Sequence, residues 1–137
     1  MKDTWPTAIE FVLVHEGGLS IDPDDSGGTT KYGISQKAHP GLDIKNLTRE
    51  QAETIYKLDY WNAVNADSLP WPHDLIVFDT AVNCGRGRAL TLQQESFDWK
   101  DYLINRMAFY RRLGKDKYIK GWVYRVLDLY ALIKSEG

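Results

Sequence analysis

One cysteine, Cys84, stands in the 137-residue chain, so no disulfide can form within it. Its thiol is expected to be buried, and no repeated Cys or His spacing suggests a metal site. No apolar run reaches the ~18 residues of a membrane-spanning helix. Asp3 and Glu10 interrupt the pattern of a secretory signal. The expectation is a protein made in the cytoplasm without a classical signal peptide, with no stable membrane insertion. A separate route would release it to any target beyond the membrane. Excess positive charge is also missing: a formal net charge of -2 gives no whole-protein case for nucleic acid. Internal repeats and low-complexity linkers are absent too, so one domain is expected.

The hydrophobic fraction of 43% argues against disorder and supplies a core. Aromatic side chains are plentiful. Trp61, Trp71 and Trp122 suit stacking on sugars, although in so small a domain most aromatics belong in the core. Charge is uneven: residues 1–37 carry three Lys against six acids, whereas residues 100–137 carry nine Lys or Arg against four. That basic end fits an anionic partner or a solvated helix face.

Periodicity predicts a mainly α domain. "TAIEFVLVHE" reads as a helix with Pro6 in its first turn, Ile9, Val12 and Glu16 on one face, and Gly17-Gly18 as its stop. Leu19 to Ile34 lacks helical spacing and is rich in turn pairs, with Thr29 to Ser35 suited to a small hairpin. Thr48 and Gln51 form a capping box for a helix whose inward face is Ile55, Leu58 and Tyr56. Leu75, Phe78, Ala81 and Val82 mark another helix, ending near "NCGRG". Further helices are expected over Ala89 to Trp99 and Tyr102 to Arg112. After Gly114, a last helix presents Ile119, Trp122, Val126 and Tyr130 inward.

Glu16 is the sharpest candidate for chemistry. A carboxyl group at a helix C-terminus, packed beside Ile9 and Val12, is placed to hold a proton and deliver it to a glycosidic oxygen. The plainer alternative is a surface glutamate just before a helix stop. Asp22, Asp24 and Asp25 follow across two turns, and sugar hydrolysis commonly pairs two carboxyl groups. Asp-Pro and Asp-Ser are also ordinary turn pairs, so the pattern alone does not choose among them. Thr30 and Tyr32 offer hydroxyls to a sugar or a water, with Gly33 allowing close approach. The Gly-rich stretch has neither phosphate-loop order nor the calcium-loop ligand pattern. His15 reads as structural.

"HEGGLSIDPDDSGGTTKYGIS" resembles the N-terminal signature of the Glu-Gly-Gly-Tyr muramidases, glycoside hydrolase family 108, found in bacteriophage endolysins and bacterial genomes. "IYKLDYWNAVNADSLP", "IVFDTAVNCGRGRALTLQQ" and "YIKGWVYRVLDL" follow in the same order, so the resemblance spans nearly the whole chain. It implies a lysozyme-like fold, mainly α with a small β-hairpin, in a single domain. It also implies hydrolysis of the β-1,4 bond after N-acetylmuramic acid in peptidoglycan, with no cofactor. It places the general acid on Glu16 and favours Asp25 as second carboxylate, with Thr30 and Tyr32 as substrate-binding residues. Asp79 matches an acidic position of the family and is expected to do a structural job at the "VNCG" turn.

Two departures stand out. Leu19 replaces the namesake Tyr, removing a hydroxyl, and the stretch between "LQ" and the closing helix is short. Residues 1–94 therefore read as a catalytic region, and 95–137 as a shortened C-terminal helical region resembling the family's peptidoglycan-binding segment. The expected state is a monomer, with peptidoglycan as partner and no nucleic acid. The competing readings are a lytic transglycosylase and a non-catalytic cell-wall-binding protein.

Overall fold

The computed structural model describes residues 3–18, 20–21 and 28–136. Helix α1 spans Trp5–Glu16, with Pro6 where its missing N–H costs nothing. Three short strands follow, β1 (Ser20–Ile21), β2 (Thr29–Lys31) and β3 (Ile34–Ser35), antiparallel in the order β1-β2-β3. The remaining helices are α2 (Arg49–Tyr56), α3 (His73–Cys84), α4 (Arg86–Glu95), α5 (Trp99–Leu113) and α6 (Asp116–Glu136). The chain is thus a single, mainly α domain carrying a small antiparallel sheet.

Helix α3 is the axis of the core. Every residue from Asp74 to Ala81 is buried, the apolar Leu75 to Phe78 and Ala81 together with the polar Asp74, Asp79 and Thr80. Helices α1, α4 and α5 pack against it. Trp5 lies 5.3 Å from Trp61 and 5.4 Å from Phe78, ring to ring, closing one end. Trp61 is therefore a core residue and is not available to stack on a sugar. Trp122 stacks on Tyr110 at 4.8 Å.

Local chemistry explains where the helices begin. Thr48 Oγ1 accepts from the Gln51 N–H at 3.1 Å, and Gln51 Oε1 accepts from the Thr48 N–H at 2.9 Å, so the capping box is closed. Thr48→Ala should cost about 1 kcal/mol of stability, measured by urea unfolding.

Three expectations need correction. Leu58, expected inward, is 61% exposed. A π turn over Lys57–Trp61 lengthens the repeat, so the buried series runs Ala52, Tyr56, Trp61. Trp99 opens α5 instead of closing the preceding helix, because the Asp98 carboxylate accepts from the Asp101 N–H at 2.8 Å and caps a new start. In α6 the buried positions are Arg125, Val126, Leu129 and Ile133, while Tyr130 lies at the exposed edge. The face turns because an arginine takes an inward place and finds carboxylates there. Cys84 is half-buried and beside Tyr110, with burial raising its thiol above the ordinary value.

Candidate active site

Glu16 is the last residue of α1, with Gly17 in a positive-φ conformation turning the chain away. Its side chain retains 25% exposure. Arg125 reaches across from α6 and donates from Nη1 to Glu16 Oε1 at 2.8 Å. Among the described residues none bonds the other carboxylate oxygen.

The arginine is itself held from below. Arg125 Nη2 and Nε donate to Asp79 Oδ1 at 2.7 and 3.1 Å, and Nε also lies 3.3 Å from Oδ2. Asp79 Oδ2 is 2.8 Å from Arg106 Nη1. Asp79 and Arg106 are both wholly buried. Charges thus alternate along Glu16, Arg125, Asp79 and Arg106, and the set is neutral when Glu16 is ionised. Burial works to raise the Asp79 carboxyl, but Arg125 and then Arg106 outweigh it and hold the group below its ordinary value. Asp79, expected to hold the "VNCG" turn, is instead partnered by two arginines. The "VNCG" turn is met instead by Arg106 and Tyr110, which reach Asn83.

The sheet closes on the other side of Glu16. Strands β2 and β3 are joined by Tyr32-Gly33, whose φ values of 53° and 77° make the two-residue turn that suits a hairpin. The Tyr56 hydroxyl donates to the Tyr32 carbonyl oxygen at 2.6 Å, and burial followed by the Glu16 charge keeps that phenol protonated. A Cβ on Gly33 would lie 2.5 Å from the Tyr56 Oη and 2.8 Å from Glu16 Cβ. Gly33 therefore permits close approach to the glutamate itself. Gly33→Ala should cost at least about 1 kcal/mol in thermal unfolding and displace Glu16, lowering catalytic rate.

Among the sequence-predicted site residues, Glu16 and Tyr32 meet through Gly33 and Tyr56. Thr30 lies half-buried in the middle strand, paired with Ser20 and Ser35. Asp25, Asp22, Asp24 and Leu19 lie outside the described residues. His15 Nε2 is 3.3 Å from Asp128 Oδ2 and its ring packs on Phe11 at 4.4 Å. Burial, then Arg125, lowers its proton affinity. Sequence reasoning missed Arg125, Arg106, Tyr56 as a site residue, and Tyr60, whose ring lies 5.7 Å from Tyr56. The available signal was phase: Arg125 sits three residues after Trp122 and four before Leu129, in line with apolar neighbours. Among the described residues, no group of three His, Cys, Asp or Glu side chains is arranged to hold a metal, and no helix is long and apolar enough to cross a membrane.

A glutamate one quarter exposed, fixed by an arginine and backed by a close-packed turn, is a site for carboxylate chemistry. Residues 9–85 match the family described as Glycosyl hydrolase 108. The class is glycoside hydrolase, and the chain belongs to the Glycosyl hydrolase 108 family. Six solved chains match; one, in the structure of Brucella abortus SagA, is 27% identical with a TM-score of 0.80, over 96% of this chain and 94% of that one. No curated protein sequence matches. Glu16 and Asp79 fall within the family match, whereas Arg106 and Arg125 lie beyond it.

Proposed function

We propose that the chain is an N-acetylmuramidase that hydrolyses the β-1,4 bond between N-acetylmuramic acid and N-acetylglucosamine in peptidoglycan. The observation that carries this reading is Glu16, anchored through Oε1 by Arg125 and still partly open to solvent. Oε2 then carries the proton given to the leaving oxygen. Asp25 stabilises the developing cation or directs water, and Thr30 and Tyr32 contact the sugar. Leu19 leaves the acid untouched. The protein works as a monomer at the wall after release by a separate route.

The 95–137 stretch serves two ends in this reading. It supplies Arg125, and it exposes Arg111, Arg112, Lys115, Lys117 and Lys120 around the α5–α6 corner. Those cations assist capture of an anionic wall. Lys115→Glu combined with Lys117→Glu should weaken pull-down by purified wall about tenfold at low salt. The difference should shrink as salt rises.

The test of the proposal is the chemical nature of the new chain ends. Peptidoglycan digests reduced with borohydride and read by mass spectrometry should contain N-acetylmuramitol ends. Anhydro ends would replace hydrolysis by transglycosylation, reduced glucosamine ends would move the cut to the other bond, and wall binding without fragments would leave a binding protein.

A further inference from the structure

We infer that Arg106, which does not touch Glu16, is a positioning residue for it, acting through Asp79 and Arg125; the inference rests on Glu16 being the acid. Arg106 is wholly buried on α5, a costly place for a cation unless every donor is used. Each of its three nitrogens has an acceptor. Nε donates to the Tyr110 hydroxyl at 2.7 Å, Nη1 to Thr80 Oγ1 at 2.9 Å and Nη2 to Asn83 Oδ1 at 3.4 Å. Nη1 also lies 2.8 Å from Asp79 Oδ2. This fixes one side of the Asp79 carboxylate, so its other oxygen faces Arg125 in a set direction.

The consequence is a line through four helices. Helix α5 sets α3 through Arg106 and Asp79, α3 sets α6 through Asp79 and Arg125, and α6 sets the end of α1 through Arg125 and Glu16. Without Arg106, Asp79 gains freedom to rotate, the Arg125 fork loosens, and the Glu16 carboxylate loses its direction. An acid misplaced by about 1 Å costs up to about a hundredfold in rate. The buried ion pairs are then retained for geometry, since apolar replacements of such pairs are commonly no less stable.

The experiment compares Arg106→Lys in two backgrounds, wild type and Arg125→Gln, by steady-state release of reducing ends from solubilised peptidoglycan. In the wild-type background kcat should fall about tenfold or more with KM little changed. In the Arg125→Gln background the same replacement should cost nothing further, because the link to Glu16 is already cut. Thermal unfolding confirms that each variant is folded at the assay temperature. Should Arg106→Lys fail to fold, Tyr110→Phe, which removes the acceptor at Nε, takes its place in the same cycle. Equal losses in both backgrounds, or an unchanged kcat, would overturn the inference while leaving the muramidase reading intact. A wild-type chain that releases no glycan ends would overturn both.

Discussion

Glu16→Gln should lower the rate of wall cleavage by about 10²–10⁴-fold and leave the fold standing. The replacement keeps length and shape, and its side-chain oxygen still accepts from Arg125 Nη1, which lies 2.8 Å from the native carboxylate. Gly33 packs against the aliphatic stem, which the replacement leaves unchanged. What disappears is a proton the leaving oxygen can take, because an amide does not release one. Arg125 keeps its bonds to Asp79 when the Glu16 charge is removed, so its guanidinium remains paired. Initial rates of reducing-end release, set beside thermal unfolding of the same preparations, separate the two effects. A variant retaining a tenth or more of the native rate would remove Glu16 from the role of acid.

Asp79→Ala should be the most destabilising single replacement, costing about 3–5 kcal/mol. It leaves Arg106 wholly buried and Arg125 nearly so, with no carboxylate between them. The sign of its pH dependence follows from the lowered proton affinity of Asp79. A group held below its unfolded value contributes its stability fully above that value, about pH 4 for aspartate, and loses it as pH falls through the folded value. The gap between wild type and Asp79→Ala in urea unfolding should therefore be widest near pH 7 and narrow in acid below about pH 4. A gap that widened on acidification would contradict the assignment.

Much of the local structure was legible because its causes are local. Pro6 and Gly17 bracket α1, Thr48 and Gln51 open α2, and Gly114 ends α5 in the left-handed region. Glu16 could be singled out because it closes a helical pattern at a double-glycine stop and stands in the stretch that carries the family resemblance. The network beneath it could not. Arg125 and Glu16 are 109 positions apart and Arg125 and Asp79 are 46 apart, and helical periodicity names a face without naming its partner. The basic count at the C-terminal end pointed outward for the same reason, although Arg106 and Arg125 are spent inside on acids. Leu58 was misplaced because nothing in its surroundings announces a π turn, which shifts every later position of the face.

In the proposed muramidase the glycan is cut where α1 ends. The most direct measurement of this is a crystal structure of Glu16→Gln with a bound peptidoglycan fragment long enough to span the cut. A glycosidic oxygen is expected within about 2.6–3.2 Å of the residue 16 side chain, with the sugar against the Tyr32-Gly33 turn. A fragment seated instead in the apolar hollow between α1 and α6, against Phe11, Val14 and Leu132, would contradict it.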